Sequence, residues 1–303
     1  MDMGKFSPLV INLIILGSLL FISQPVRAQE WLPVRGGINF GISGIALLTQ
    51  KDNNLDFLIV HDNKQKNQVR LAIIHIHGEN QPEYTPLNWP EKNVLPDDLE
   101  ALTSLPGKNT SEFLALASDG NIYHLQLDIQ KQKIIFVKKF DLPKVSHGSN
   151  FEALSVQNID GKIIAVWAHR GEGKEPAKIY WGILDIDKSQ INFVSAADFT
   201  VPFPPGQVRH ISDLKIDRAG IVYISAASDG GNDGPFTSAV YIAGHFAVNS
   251  NQIIWKQNHQ LFPIYRNKYH KIEALELIPG ATGGIILGTD DENMGGYVDF
   301  IGK

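Results

Sequence analysis

The chain has no cysteine among its 303 residues. That removes disulfides, thiolate metal sites and cysteine nucleophiles together. It also lacks a basic excess: 27 Lys and Arg stand against 32 Asp and Glu, a formal net charge of −5. A nucleic-acid binder working through a general basic surface is thereby disfavoured. Helix signals are few. Apolar residues fall in short blocks bounded by Gly, Pro, Asn and Asp, which is the pattern of strands. Beyond residue 28 no apolar run approaches the ~20 residues that a membrane-spanning helix takes.

One apolar run stands at the N-terminus. Lys5 precedes it, Leu9 to Ile22 is apolar except for Asn12, Gly17 and Ser18, and Val26-Arg27-Ala28 forms a V-x-A cleavage site. This is the layout of a secretory signal peptide over residues 1–28, or of an uncleaved N-terminal anchor. In either case the remainder, 29–303, is read as one exported domain, soluble once the signal is removed. Export without disulfides inclines toward a bacterial periplasm or exterior. No oligomerisation signal is present, and a monomer is expected.

What organises the rest is repetition. Five segments share the pattern apolar, Glu or Ser, small or Asp, apolar: Ile42-Ser43-Gly44-Ile45, Leu99-Glu100-Ala101-Leu102, Phe151-Glu152-Ala153-Leu154, Ile211-Ser212-Asp213-Leu214 and Ile272-Glu273-Ala274-Leu275. Their second positions are 57, 52, 60 and 61 residues apart. A turn follows each, such as Asp160-Gly161 or Asp217-Arg218-Ala219-Gly220, and then a second apolar strand such as Ile163-Ile164-Ala165-Val166. Third and fourth strands complete a copy. Four antiparallel strands at this period predict an all-β fold, a five-bladed β-propeller. The last copy supplies only three strands, and residues 30–36 are predicted to complete it and clasp the ring.

The innermost strand of a propeller blade lines the axis. Strand-one starts, strand-two ends and the connections between blades therefore share one mouth of the channel. Ser43, Glu100, Glu152, Ser212 and Glu273 are expected around that axis. Three carboxylates crowded there repel each other. A hard divalent cation would relieve this, and the oxygen donors suit Ca²⁺ better than a transition metal. The other reading is that these side chains cap backbone amides of neighbouring blades. At the rim, Asp62, His169 and Asp290 are candidates for proton transfer, and His61, Arg170 and Arg209 for holding a small anionic substrate. Arg266, Lys268 and Lys271 read as solvated loop residues. His75-Ile76-His77 places two imidazoles on one face of a third strand and reads as a surface pair.

With the repeats aligned, the chain resembles the esterase-like phytase family of exported bacterial proteins. The resemblance lies in Gly41-Ile42-Ser43-Gly44-Ile45-Ala46, Glu100-Ala101-Leu102-Thr103, Phe151-Glu152-Ala153-Leu154, Ile211-Ser212-Asp213-Leu214 and Glu273-Ala274-Leu275, followed by Thr289-Asp290-Asp291-Glu292-Asn293. The Ser-Glu-Glu-Ser-Glu order is also similar to that of calcium-activated nucleotidases, whose five-bladed propellers carry Ca²⁺ in the central channel. The two resemblances imply a Ca²⁺-dependent hydrolase of phosphate esters, anhydrides or related anionic esters. The competing reading is a non-catalytic propeller that binds a peptide, glycan or envelope partner around a structural calcium.

Overall fold

A computed structural model describes residues 31–302, apart from 79, 91–94, 108–110, 146–147, 229 and 281–282. The predicted signal segment, residues 1–28, lies outside the described residues. Strand β1 (Leu32–Arg35) leads. Blade 1 follows as β2 (Gly44–Lys51), β3 (Asn54–Val60), β4 (Leu71–His77) and β5 (Glu83–Leu87), and blade 2 as β6 (Leu99–Ser104), β7 (Glu112–Ala117), β8 (Asn121–Asp128) and β9 (Lys133–Asp141). Blade 3 is β10 (Phe151–Ile159), β11 (Lys162–His169), β12 (Ala177–Asp185) and β13 (Gln190–Phe199). Blade 4 is β14 (Val208–Ile216), β15 (Ile221–Ser228), β16 (Thr237–Asn249), β17 (Gln252–Gln257) and β18 (Pro263–Asn267). Blade 5 is β19 (Ile272–Ile278), β20 (Gly284–Thr289) and β21 (Gly296–Ile301). The innermost strands β2, β6, β10, β14 and β19 each pack on the next, and β19 packs on β2, so the ring of five blades is closed.

Closure uses the N-terminus. β1 pairs antiparallel with β21, Leu32 opposite Val298 and Pro33 opposite Tyr297, and supplies the fourth strand of blade 5. Val34 of β1 is buried in the apolar cluster that joins blades 5 and 1 through Ile42, Ile59, Ala274 and Val298. Deleting residues 32–36 would bare the edge of β21, and unpaired edges template association. The truncated protein is expected to melt at lower temperature and to self-associate, read by thermal unfolding and light scattering.

Blade 4 departs from the four-strand pattern. β16 is 13 residues long, too long for one partner: β17 pairs with Gly244–Asn249 and β18 with Ser238–Tyr241. Turn chemistry is local. Asp160 and Gly161, both at positive φ (50° and 81°), make the two-residue hairpin between β10 and β11, the turn type whose twist matches that of its strands.

Polar side chains of the inner strands tie blade to blade. Thr103 Oγ1 accepts from Val156 N at 3.2 Å, Ser155 Oγ from Ile216 N at 3.1 Å, and Asp213 Oδ2 from Leu275 N at 2.9 Å. Lys215 reaches furthest. From β14 its buried ammonium donates to Ile45 O of blade 1 at 2.8 Å and to Leu102 O of blade 2, and lies 3.4 Å from Glu276 of blade 5. One side chain thus bolts four blades together across the channel. On blade 1, His75 pairs with Asp56 at 2.7 Å and His77 with Asn54 at 3.1 Å, each satisfied across the strand.

Candidate active site

The recurring Glu has a backbone cause. Three inner strands skip one residue in their ladders near the mouth. Glu100 falls between Leu99, opposite Ala117, and Ala101, opposite Leu116. Glu152 lies between the pairs Phe151–His169 and Ala153–Ala168, and Glu273 between Ile272–Thr289 and Ala274–Gly288. In β14 the irregularity spans Arg209 to Asp213 and includes Ser212. A bulge leaves its extra residue unpaired and re-aims the side chain. Here all three glutamates end in one cavity. In blade 1 the small neighbour follows from close approach between blades: a Cβ on Gly44 would lie 2.7 Å from Leu102 N.

The cavity, about 150 Å³, is lined by Asp62, Lys64, Asp98, Glu100, Asn150, Glu152, Arg170, Arg209, Lys271, Glu273, Asp290 and Glu292. Asp62, Arg170 and Asp290 follow the ends of the second strands β3, β11 and β20, where the topology brings them back to the mouth. Seven carboxyl groups meet four cations. Arg170 Nη1 lies 3.3 Å from Glu152 Oε1, and its Nη2 lies 3.6 Å from Glu172. Arg209 Nη1 is 2.6 Å from Glu273 Oε1. Lys271 Nζ sits 3.4 Å from both Glu273 and Asp290 and bonds Glu292, while Lys64 pairs with Asp98 at 2.9 Å.

Burial sets the protonation of this cavity. It pushes Glu152 up to about 7, Glu273 adding to the rise while Arg209 and Arg170 oppose it. Asp62 is raised to about 6 by burial and by Glu273, Asp98 and Glu292. Glu100 is held well above the usual carboxylate range by burial and then by Glu152, Asp98 and Glu273. Asp290 is likewise raised, by burial and Glu273. For Lys271 burial favours the neutral form, but Glu273 and Asp290 outweigh it and raise its pKa. The result is a water-accessible nest of carboxyl groups, four of them with proton affinity raised by burial, braced by three buried or half-buried cations.

Of the residues singled out in the sequence, Asp62, Glu100, Glu152, Arg170, Arg209, Glu273 and Asp290 meet in the cavity. Four do not line it. His61 is fully buried beside it: Nδ1 donates to Gly41 O at 2.5 Å, and Nε2 accepts from the Tyr84 hydroxyl at 3.0 Å. Burial pushes its pKa down to about 4, so it serves as a neutral strut. His169 Nδ1 accepts from Gly171 N at 3.2 Å, and its ring stands edge-on to Phe151. Ser43 and Ser212 are buried, their hydroxyls without a hydrogen-bond partner. Lys271 is no solvated loop residue: it is buried at the centre of the acidic group. The motif itself does not point to Asp98, Asn150 or Lys64. For Lys271, Asp98 and Asn150 the repeat does hold a signal. Asp98, Asn150 and Lys271 each stand two residues before the motif glutamate, a recurring polar position where the connection between blades enters the mouth.

Blade 1 has Gly41 at that same position, and here the space is taken. A Cβ on Gly41 would fall 1.9 Å from Asp290 Oδ1. Gly41→Ala must displace the Asp290 carboxyl, and overpacking of this kind costs about 1–3 kcal/mol. A lower melting temperature in thermal unfolding is the expected outcome. An unchanged melt would mean that Asp290 moves freely.

No family model matches the chain, and no curated protein sequence does. Similar solved structures exist. The α-L-arabinofuranosidase of Podospora anserina, solved with cellotriose, superposes with a TM-score of 0.51 at 10% identity, covering 90% of this chain and 97% of that one. The α-L-arabinofuranosidase of Lactobacillus brevis gives 0.49 at 9% identity, covering 86% and 90%. The α-L-arabinanase of Penicillium chrysogenum, solved with arabinobiose, gives 0.46 at 12%, covering 90% and 97%. The resemblance to the esterase-like phytase family and to calcium-activated nucleotidases is thereby overturned, since the structural neighbours are glycoside hydrolase propellers. Its physical origin is clear from the bulges. A bulged inner strand between closely packed blades accounts for the apolar flanks, the small neighbour and the inward aim of the residue between them, so most of the motif reports the architecture rather than one family within it. At these identities the likeness to the Podospora structure establishes that architecture alone: the chain is a five-bladed β-propeller.

Proposed function

We propose that the protein is a hydrolase of glycosidic bonds that works from the axial cavity. The carrying observation is Glu152, a buried carboxyl held near 7 within a cluster of other carboxyl groups. Glycoside hydrolysis needs such a pair, one carboxylic acid to protonate the leaving oxygen and one carboxylate acting on the opposite face. In this reading Glu152 is the acid and Asp62, raised to about 6, is the base. Arg170 orients Glu152, and Arg209 with Lys271 pairs with Glu273 at its side. Among the described residues the lining holds no aromatic or apolar side chain, so a sugar here is gripped by hydrogen bonds to its hydroxyls. The neighbouring arabinofuranosidase structure with cellotriose bound supports a sugar as the ligand class.

The sign of the pH dependence follows. Asp62 must lose its proton and Glu152 must keep its own, so activity rises through about 6 and falls through about 7. A bell-shaped kcat/KM profile with its maximum between those values is expected. The deciding assay is the purified protein on nitrophenyl pentosides and hexosides and on short oligosaccharides. Release of sugar that Glu152→Gln abolishes supports the reading. No release from any glycoside overturns it and favours the binding module.

Calcium is a separate proposal, and no step above passes through it. Hard oxygen donors are at hand: among the described residues Glu100 makes no salt bridge, and Ser43 and Ser212 carry unpartnered buried hydroxyls. Glu152 and Glu273 would have to release Arg170 and Arg209 to join them. Among the described residues no three acidic or histidine side chains are arranged as a ready metal site. Calorimetric titration with calcium chloride tests it: heat that Glu100→Gln removes supports the site. Export is proposed on the N-terminal sequence, and fractionation of the expressing cells tests it.

A further inference from the structure

We infer that Arg70 is a positioning residue for the cavity: it touches no ligand, yet it fixes the arc of the mouth formed by Asp62, Lys64 and Asp98. The inference rests on the cavity being the functional site.

Arg70 stands just before β4, and its side chain is fully buried. It clamps two loops from different blades. Nη1 donates to Gln65 O at 2.9 Å and Gln68 O at 3.0 Å, inside the loop 61–70 that carries Asp62 and Lys64. Nε donates to Pro96 O at 2.8 Å, on the connection to blade 2 that carries Asp98. Nη2 makes no hydrogen bond and lies 3.8 Å from Asp97 Oδ1. A buried guanidinium held by carbonyls and one long ion pair is a poor source of stability, because desolvation of the charge offsets most of the gain. Its planar fork can instead hold several acceptors in fixed relation, which a lysine cannot.

The surroundings lean on that clamp. Asp98 sits in the left-handed region at φ 60°, an uncommon conformation for a non-glycine residue. Ser118 holds it there, Oγ to Asp98 Oδ2 at 2.6 Å and N to Asp98 O at 3.0 Å, and Lys64 reaches it from the other loop. Asn63 Nδ2 ties the same loop to Asn39 O at 2.9 Å and Val69 O at 2.7 Å. Lys64 and Asp98 thus meet across the gap that Arg70 spans. Asp62 owes part of its raised pKa to Asp98, so its titration reports whether the two loops keep their spacing.

The test compares Arg70→Lys and Arg70→Met in the full chain, with Arg218→Met as control, an exposed residue in the turn at the opposite end of blade 4. Each variant is first shown to fold by circular dichroism. Hydrogen exchange should then quicken at least tenfold in segments 61–70 and 95–98 together, and nowhere else, in both Arg70 variants. The acid limb of the activity profile should shift, with kcat/KM reduced at least tenfold and Arg70→Lys failing to rescue it. Exchange confined to 61–70 with an unmoved profile would reduce Arg70 to a local brace and overturn the inference. If the wild-type protein has no glycosidase activity, the functional reading fails by itself. NMR titration of Asp62 then decides the role of Arg70: a pKa equal in wild type and Arg70→Met overturns it.

Discussion

The Glu152→Gln protein is expected to keep its fold and to turn over glycosides about 10²- to 10⁴-fold more slowly, the contribution of a placed general acid. The amide is isosteric and still accepts from Arg170, but it has no proton to give the leaving oxygen. The deficit should depend on the substrate. A nitrophenolate leaving group needs little protonation, so its hydrolysis should suffer least, and an alkyl glycoside or oligosaccharide most. In the wild type the basic limb, set by Glu152 near 7, should disappear in the variant. Steady-state rates on the two substrate types across pH measure all of this. Equal loss on both, or a basic limb that persists, assigns the acid to another carboxyl; Glu100 and Asp290, both raised by burial, are next in line.

The second large effect is on stability. Lys215→Met removes the ammonium that donates to Ile45 O and Leu102 O and neutralises Glu276. Two inner-strand carbonyls lose a partner, and a half-buried carboxylate loses its counter-ion. Breaking a buried charge pair from one side costs about 3–5 kcal/mol, which in a domain of this size lowers the melting temperature by roughly 10 °C. The pH dependence has a definite sign. Burial already raises Asp213 to about 7, against the pull of Lys215. A carboxyl whose folded pKa exceeds its unfolded value adds stability that is fully present below the unfolded value and lost as pH rises through the folded one. Without Lys215 the folded pKa of Asp213 climbs further. The deficit should therefore be smaller at pH 5 than at pH 8, as read by melts at the two pH values. A deficit independent of pH would mean that the lost carbonyl bonds, not the charges, dominate.

Much of this molecule was legible along the chain. The period of the repeat gave five blades because each blade must hide two faces against its neighbours and so repeats the same strand pattern. The missing last strand was legible for a related reason: a ring with one three-stranded blade leaves an edge, and Glu30-Trp31-Leu32-Pro33 lay unclaimed at the other end. The glutamates were legible as a periodic exception in an apolar setting, and topology then carried Asp62, Arg170 and Asp290 to them. The histidines misled. His61 and Asp62 are adjacent in sequence, yet successive residues face opposite ways, so Asp62 enters the cavity while His61 is tied to Gly41 and Tyr84. Lys271 reads as solvated because a lysine between blades usually is, and only the carboxyl groups packed around it show otherwise. The family likeness failed because a short motif imposed by strand packing carries little information about chemistry.

By itself the sequence determined the class, the blade count, the clasp and that the three motif glutamates face the axis, since all of these follow from periodicity and alternation. Only the tertiary structure decided that three of the cavity's cations already serve Glu152, Glu273 and Asp290. It alone placed Lys215 across the channel and Arg70 between two loops. The longest of those pairings, Lys215 to Ile45, joins residues 170 positions apart, and burial and Coulomb energy depend on distance through space, which no local pattern encodes.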